Sequence, residues 1–321
     1  MGSVRLISES LVERLLPMRL ALQSVEEAFR WEGEGRVENR SRVRLRGENG
    51  LFHVMPASLL PGNAMGLKAY TTFQGRTSFL ALLWSAETGE LRAIFEADRL
   101  GQIRTGAASG VATKYLARSD ADVVGCYGSG YQAETQLEAI SLVREIRRIQ
   151  VFSRDALRRE RFASTLSERL GIDVVAMDRP EAVARGASIL VTITNSRTPV
   201  LQGGWIEPGA HVNAAGSNGL DRVELDAGAV LKAGLVVADS REQAKVECGD
   251  LAGPVRDGKL RWEGVRELGE IVAGKVPGRR SPDEITLFES QGVAMEDVAV
   301  CATLLRRAEA EGAGELISIG E

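Results

Sequence analysis

The sequence predicts an α/β protein made of two differently built parts, and three observations support this. Segments from Arg42 to Phe95 are short, rich in β-forming residues and separated by turn residues, which is typical of an antiparallel sheet. From residue 119 onward strands and helices alternate, which is typical of a parallel sheet with crossover helices. The last stretch, from Val293 to Glu311, passes from apolar to charged residues and is predicted to be a helix.

Composition narrows the class of protein. The 321 residues are 44% hydrophobic and 26% charged, which favours a large core over disorder. A net charge of -4 and 5% aromatic residues argue against a nucleic-acid partner. Two histidines and three cysteines are too few for a three-histidine metal centre, a four-cysteine zinc site or a disulfide framework. Apolar runs stay below the roughly 18 residues of a membrane span, and the N-terminus does not resemble a signal peptide, so we expect a cytoplasmic protein with no membrane partner.

The first part begins with a helix predicted from the apolar spacing of Met18–Trp31. Strands are predicted next, at residues 42–45, 51–57, 66–73, 78–84 and 91–97. A long helix over Asp98–Leu116 follows, with Asp98 as its expected N-cap. Because this helix is rich in Ala and Gly, we expect it to pack closely against its neighbours.

In the second part, segments with the hydrophobic pattern of strands alternate with segments that have the pattern of helices. Strands are predicted at residues 122–128, 147–153, 172–176, 188–194, 211–216, 234–240 and 285–292. Helices are predicted at residues 132–143, 155–170 and 180–187. Residues 253–280 are rich in Gly and charge, and they predict a surface loop with a short helix near 266–272.

The sharpest motif is the segment GSGYQA, which follows the strand of residues 122–128 and opens the next helix. It fits G-x-G-x-x-A, where the first Gly allows a tight turn, the second lets the backbone approach a pyrophosphate, and Ala lets the helix pack on the strand. The free N–H groups of the helix favour phosphates. The cofactor-binding candidates are Gly128, Ser129, Gly130, Gln132 and Ala133; the alternative is a plain strand-turn-helix.

The next strand bears on which dinucleotide is bound. An NAD site typically places Asp or Glu at this strand end, whereas this chain has Ser153 followed by Arg154. A hydroxyl and a guanidinium can bind a 2′-phosphate, so we expect NADP(H) to be preferred, with NAD(H) possible. Two alternatives stay open: Arg154 is a solvated surface residue, or Asp155 takes the role of the acid.

Basic residues occupy unexpected positions in the first part. Lys68 interrupts an apolar strand, Arg104 lies on the helix of small residues, and Arg42 and Arg44 lie on an early strand. A buried cation must be paired or must face a charged ligand. Three cations at one site suit a small carboxylate, although ordinary salt bridges are the alternative.

Taken together, six stretches resemble the ornithine cyclodeaminase/mu-crystallin family in order and spacing over almost the whole chain. They are residues 55–57 (MPA), 66–68 (GLK), 103–118 (IRTGAASGVATKYLAR), 128–133 (GSGYQA), 212–218 (VNAAGSN) and 247–251 (ECGDL). The resemblance implies a Rossmann dinucleotide-binding domain (residues 119–292) inserted into a β-rich α+β substrate-binding and dimerisation domain (residues 1–118 plus 293–321). It also implies a homodimer and hydride transfer between a nicotinamide and the α-carbon of an amino or imino acid.

The same resemblance implies roles for individual residues. Lys68 and Arg104 correspond to the residues that bind the substrate carboxylate, and the lysine can also assist proton transfer. Arg42 corresponds to a third carboxylate contact, with Arg44 in reserve. Three further candidates, which we place near the cofactor, are Thr192, Thr194 and Ser217, although a simple turn at Asn195-Ser196 is an alternative for the first two.

Two departures from the family pattern bear on the reaction. Asn218 stands where cyclodeaminases carry Asp, and His53 stands where they carry Glu. Asn cannot act as a carboxylate base, whereas a histidine of ordinary pKa can donate a proton near neutrality. We therefore take Lys68, His53 and Asn218 as catalytic candidates, with a core histidine as the alternative for His53, and we expect His211 to be structural.

The predicted function is NAD(P)H-dependent reduction of a small α-imino acid such as 1-pyrroline-2-carboxylate. One alternative is an ornithine cyclodeaminase that yields proline and ammonia. The other is a non-catalytic, NADPH-dependent ligand-binding protein.

Overall fold

A computed structural model describes residues 3–319, so the outermost residues of the predicted first domain, 1–2 and 320–321, lie outside it. The described chain divides into two compact units: residues up to Thr105 with those from Val293 onward, and residues Gly106–Gly292. The division falls inside the helix that runs from Asp98 to Leu116, whereas the sequence predicts a border after residue 118. The C-terminal half of this helix belongs to the second unit, where a Cβ on Gly106 would collide with the backbone of Thr135. The close packing expected of its small residues is therefore confirmed.

Residues 3–319 form sixteen strands and eleven α-helices. The strands are β1 (Ser3–Ile7), β2 (Val37–Asn39), β3 (Val43–Gly47), β4 (Gly50–Leu59), β5 (Ala64–Phe73), β6 (Arg76–Ser85), β7 (Leu91–Glu96), β8 (Val123–Tyr127), β9 (Arg148–Phe152), β10 (Asp173–Ala176), β11 (Ile189–Thr192), β12 (His211–Ala214), β13 (Leu235–Ala238), β14 (Arg266–Glu267), β15 (Thr286–Glu289) and β16 (Glu315–Ser318). The helices are α1 (Glu9–Leu15), α2 (Met18–Gly33), α3 (Asp98–Leu116), α4 (Tyr131–Val143), α5 (Ala156–Leu170), α6 (Pro180–Ala184), α7 (Ala227–Lys232), α8 (Arg241–Glu247), α9 (Gly249–Arg256), α10 (Leu268–Val272) and α11 (Ala294–Glu311).

The sheet of the first unit has the order β16-β1-β7-β6-β5-β4-β2, with β3 also paired to β4. It is antiparallel as predicted, except that β1 runs parallel to β7. The sequence analysis missed β1 and β16, which pair with each other across the whole length of the chain. Side chains alternate between two faces along each strand, and helix α11 packs on the face that carries the buried residues of β4, β5 and β6.

Helix α3 begins differently from the prediction. Asp98 lies in its first turn and is not its N-cap. The carboxylate of Glu9, at the start of α1, accepts the N–H groups of Asp98 at 2.7 Å and Arg99 at 3.0 Å. A side chain distant in sequence therefore satisfies two of the four free N–H donors at the start of this helix.

The sheet of the second unit is entirely parallel, with the order β10-β9-β8-β11-β12-β15-β13-β14. The order in which the chain adds strands to the sheet changes sides between β8 and β11. This switch point confirms the Rossmann topology and marks the ligand crevice typical of this fold. Helix α10 matches the short helix predicted in the surface loop, but α9 extends into that loop and contains Pro254, which the prediction missed. Among residues 3–319, no helix has the length and apolarity needed to cross a membrane.

Candidate active site

Strand β5 places Lys68 on the face of the first sheet that α11 covers. The register pairs Met55 with Lys68 and His53 with Tyr70, so all four side chains lie on this face. Lys68 is 3% exposed and His53 is 5% exposed. The out-of-pattern lysine of the apolar strand is thus a buried cation, which must be compensated by a counter-charge.

Helix α11 supplies that compensation through Asp297. Its Oδ1 lies 2.9 Å from the Lys68 Nζ and 2.9 Å from the Arg104 Nε. Glu296, on the same turn, accepts a hydrogen bond from Arg104 at 2.6 Å. Both carboxylates are buried, with 0% and 1% of Glu296 and Asp297 exposed. Lys68 and Arg104, predicted to act together, therefore meet on one carboxylate oxygen.

Arg42 belongs to the same cluster. It is buried, and its Nε donates to the Met55 Sδ at 3.3 Å, beside the Lys68 backbone. Arg44 pairs across β3 and β4 with His53 and is only partly buried. Burial thus favours Arg42 over Arg44 as the third cation. We call Arg42, Lys68 and Arg104 the basic cluster.

The pKa of Lys68 reflects these neighbours. Burial and the charge of Arg104 lower it to about 8, and Arg42 adds to the effect. The charge of Asp297 and its hydrogen bond act in the opposite direction and favour the ammonium. At neutral pH Lys68 is therefore largely protonated, as the binding of a carboxylate requires.

His53 differs from the expectation in its charge. Its ring stacks on Tyr70 with centroids 4.1 Å apart and planes at 3°. Burial, Arg44 and Arg42 lower the His53 pKa to about 4, so the imidazole is neutral at neutral pH. The expected proton donation by an ordinary histidine near neutrality is wrong on this point. Neither ring nitrogen has a hydrogen-bond partner among the described residues, so a neutral N–H is left to donate.

In the second unit the turn of residues 128–130, which we call the glycine turn, follows β8. Gly128 has φ of +126°, which disfavours any side chain, and a Cβ there would lie 2.5 Å from the Ile193 carbonyl oxygen. Gly130 is the N-cap of α4 with φ of -96°, and a Cβ there would meet nothing within 4 Å. The protein itself thus leaves open the space beside Gly130, while Ala133 is buried where α4 packs on the sheet.

The end of β9 lies next to this turn. The Ser129 hydroxyl donates to the Ser153 hydroxyl at 2.8 Å, and Arg154 is exposed. Asp155 accepts a hydrogen bond from the Arg158 N–H at 3.0 Å and caps α5. Since β9 ends at Phe152, the acid lies well past the strand end and already has a structural role. This weakens the alternative in which Asp155 binds a ribose.

The predicted cofactor residues after β11 and β12 make hydrogen bonds within the protein. Thr192 Oγ1 donates to Glu224 at 3.0 Å, and Thr194 donates through Oγ1 at 2.7 Å and through N–H at 2.6 Å. The Gly216 N–H donates to the same carboxylate at 2.8 Å. Ser217 donates to the Arg222 carbonyl at 2.8 Å. These hydroxyls therefore shape the loops at the crevice and are already engaged as donors.

Other candidates have plainer roles. Asn218 is exposed on the loop after β12. His211 is buried and bonded to Thr286 and Asn213, which supports a structural role. Burial raises the pKa of the Cys248 thiol well above its usual value, as expected of a residue that is no nucleophile. Within residues 3–319, no group of His, Cys, Asp and Glu is arranged to hold a metal ion.

The sequence analysis missed three buried carboxylates that contact the candidate residues: Glu224, Glu296 and Asp297. The latter two interrupt the apolar start of α11, which is the same signal that drew attention to Lys68. Glu224 lies in a loop without periodicity, and no local pattern distinguishes it.

A parallel sheet with a glycine turn at its switch point is typical of a dinucleotide-binding protein, and the first unit adds a buried basic cluster. The chain belongs to the ornithine cyclodeaminase/mu-crystallin family, whose model matches residues 4–312. It is 37% identical over 320 residues to an alanine dehydrogenase of Archaeoglobus fulgidus, which covers 97% of each chain.

Solved structures of the family agree with this. The chain is similar to the Δ1-pyrroline-2-carboxylate reductase of Thermococcus litoralis in complex with NADH and L-proline, with a TM-score of 0.93 and 36% identity over 98% of this chain and 100% of that one. It is also similar to an archaeal alanine dehydrogenase dimer with bound NAD, with a TM-score of 0.93 and 35% identity over 99% of this chain and 100% of that one.

Proposed function

We propose that this protein is an NAD(P)H-dependent oxidoreductase that reduces a small α-imino acid, of the 1-pyrroline-2-carboxylate type, by hydride transfer to the α-carbon. The observation that carries the proposal is the buried basic cluster, in which Lys68 and Arg104 share one carboxylate oxygen of Asp297. Relatives that act as an alanine dehydrogenase and as a Δ1-pyrroline-2-carboxylate reductase support the reaction class.

The basic cluster suits a substrate carboxylate. Arg104 presents a planar guanidinium, Lys68 a compact ammonium, and Arg42, just before β3, a second guanidinium, so several charge-assisted hydrogen bonds can converge on one anion. Because burial excludes water, each of these interactions is stronger than at the surface. Holding the carboxylate fixes the α-carbon, and such orientation accounts for a large part of catalysis.

The glycine turn suits a dinucleotide. The open space beside Gly130 leaves room for a pyrophosphate, and the first N–H groups of α4 favour its charge. Bound NADH and NAD in the solved relatives support a nicotinamide cofactor. Ser153 and Arg154 at the end of β9 support NADP(H) as the preferred form, and Asp155 caps α5.

A groove beside the turn adds to this argument. Between α4 and α5 lies a space of about 660 Å³ lined by Ser129, Gly130, Arg158 and Arg161. Two arginines close to the end of β9 suit an additional phosphate, which NADP(H) carries and NAD(H) lacks.

A bound reduced nicotinamide supplies the hydride, and the chain supplies the proton and the orientation. His53, neutral and without a hydrogen-bond partner among the described residues, offers an N–H on the same sheet face as Lys68. Asn218, which the sequence also suggests, stays a polar candidate because an amide can hydrogen-bond an imine nitrogen or a water. The protonated Lys68 is the remaining proton source.

The exposed face of the first sheet supports a homodimer. Apolar side chains stand exposed on β3 to β6, on the face opposite to Lys68; they include Val43 at 49%, Leu45 at 54%, Phe52 at 38%, Met65 at 40% and Leu80 at 47%. An apolar patch of this kind marks an interaction surface, and a second copy is the partner that the dimeric relative supports. The cytoplasmic location expected from the sequence stays a prediction.

A substrate screen tests the proposal. Purified protein is mixed with NADPH or NADH and a panel of cyclic and acyclic imino acids, and the loss of reduced-nicotinamide absorbance is followed. We expect turnover with a small imino acid, faster with NADPH. A parallel incubation with ornithine and catalytic NAD, assayed for proline, tests the cyclodeaminase alternative. Binding of NADPH without turnover on any imino acid contradicts the proposal and favours a ligand-binding protein.

A further inference from the structure

The environment of Lys68 is crowded with charge. Arg42 approaches from the segment before β3, Arg104 from α3, and Asp297 and Cys301 from α11. Both arginines oppose protonation of the lysine, and the burial of Cys301 raises the pKa of its thiol well above the usual range, which leaves that group uncharged. Asp297 is therefore the anion at this position that favours the Lys68 ammonium.

Asp297 contacts two cations through only one of its two carboxylate oxygens. A single oxygen, Oδ1, lies 2.9 Å from the Lys68 Nζ and 2.9 Å from the Arg104 Nε. Because one atom pairs with both cations, it limits how far apart the two nitrogens can lie. The other oxygen, Oδ2, is buried and has no hydrogen-bond partner among residues 3–319. Asp297 therefore pairs with both cations through Oδ1.

Glu296 offers an internal comparison. It is as buried as Asp297 and lies on the same turn of α11, and it bonds to Arg104 at 2.6 Å. Among the leading influences on the pKa of Lys68, Asp297 acts both by charge and by hydrogen bond. Asp297 therefore contacts both Lys68 and Arg104, whereas the 2.6 Å hydrogen bond of Glu296 is to Arg104.

We propose that Asp297 is a positioning residue of the active site, which holds the Lys68 ammonium and the Arg104 guanidinium in register for the substrate carboxylate and stabilises the charged form of Lys68. The inference rests on the proposed function for its kinetic readout only. The direction of the expected pKa change follows from the neighbouring charges. Without the charge of Asp297, Lys68 lies beside two arginines and loses its proton at a lower pH. A lysine that has lost its proton no longer attracts a carboxylate.

The test compares the conservative variants Asp297→Asn and Glu296→Gln through the pH dependence of kcat/KM for the imino acid. We expect the wild type to lose activity as the pH rises through about 8, the pKa of Lys68. In Asp297→Asn this limb moves down by about one pH unit or more, the usual effect of one close opposite charge. In Glu296→Gln the KM changes but the limb stays in place, because Arg104 does not titrate in this range. An unmoved limb in Asp297→Asn overturns the proposal and leaves a merely structural ion pair.

A second readout does not depend on turnover. The protonation of Lys68 can be followed by NMR with carbon-labelled lysine, assigned by comparison with Lys68→Arg. We expect a lower pKa in Asp297→Asn than in the wild type, and equal values overturn the proposal. Absence of turnover in the wild type with every imino acid defeats the proposed function instead. Should Asp297→Asn not fold, Asp297→Glu keeps the charge but displaces it; we expect a raised KM with the limb retained, whereas wild-type KM overturns the positioning role.

Discussion

Each unit of this protein buries a carboxylate, and the two are compensated in opposite ways. In the first unit Asp297 lies between two cations, Lys68 and Arg104, at 2.9 Å from each. In the second unit Glu224 accepts four hydrogen bonds from neutral groups of Thr192, Thr194 and Gly216. Both side chains are at most 1% exposed.

The difference in partners corresponds to a difference in the role of each carboxylate. A carboxylate that pairs with cations holds those cations in place, so they stay available to a second anion such as a substrate. A carboxylate that gathers backbone and hydroxyl donors instead ties loops together. Glu224 joins the segments after β11 and β12, the two loops beside the switch point of the parallel sheet. No cation pairs with Glu224 among residues 3–319, and burial raises the pKa of Glu224 to about 7, with a further contribution from the charge of Asp250.

The largest effect on activity is expected from removing a cation that pairs with Asp297. Lys68→Ala removes a cation from the basic cluster and leaves Asp297 with Arg104 alone. Truncating one partner of a buried, hydrogen-bonded charge pair weakens binding by about 2–5 kcal/mol, so losing the contact between Lys68 and the substrate carboxylate should lower kcat/KM for the imino acid by about 10- to 10³-fold. Steady-state kinetics measures this, with the exposed Lys259→Ala as control. We expect the dinucleotide Kd to be retained, because the glycine turn belongs to the second unit; unchanged turnover would remove Lys68 from the site.

Altering Glu224, the carboxylate with neutral donors, should lower the stability of the protein and weaken cofactor binding. Glu224→Gln keeps the volume but turns one acceptor into a donor, which faces the Thr194 or the Gly216 N–H. One buried unsatisfied donor costs about 1–3 kcal/mol, and the freed loop should weaken dinucleotide binding. Denaturant unfolding and fluorescence titration with NADPH measure the two effects. Thr194→Val is the matched control, since it removes one hydroxyl and keeps the backbone donor; a Kd unaffected by Glu224→Gln would limit Glu224 to stability.

The pH dependence of Glu224 sharpens the comparison. Its pKa is raised from 4.5 to about 7, so between these values the folded chain holds a proton that the unfolded chain lacks. This group therefore makes the free energy of unfolding rise as the pH falls from about 7 to 4.5, while the protonated oxygen accepts fewer donors and cofactor affinity falls. Subtracting the Glu224→Gln profile from the wild type isolates both trends. Parallel trends in stability and affinity would contradict this account.

The smallest effect concerns His53, a buried group with neither a counter-charge nor converging donors. Such a group becomes neutral, and its pKa falls to about 4. The pH profile of kcat should therefore show no limb near the ordinary histidine value of about 6.5. His53→Gln, which keeps a neutral N–H donor, should change kcat only a few-fold, less than the 10²-fold or more of a lost general acid. A limb near that pH that disappears in His53→Gln would restore the charged histidine.

Much of the site was visible in the sequence because out-of-pattern residues are informative. A lysine in an apolar strand identified Lys68, and the GSGYQA segment identified the glycine turn. Charge states were not visible, since the pKa of His53 depends on its burial in the fold and on the nearby Arg44 and Arg42. Nor was the partner of Lys68, because Asp297 lies 229 residues further along the chain.

The sequence by itself determined the alternation of strands and helices, the parallel sheet and the candidate cations, because period and composition are local properties of the chain. Only the tertiary structure decided that β1 joins β16, that Glu9 caps α3, and that Asp297 and Glu224 compensate their burial by different means. The physical reason is that a buried charge is stabilised by whichever groups the fold brings within a few ångströms, and their distance along the chain does not enter that energy.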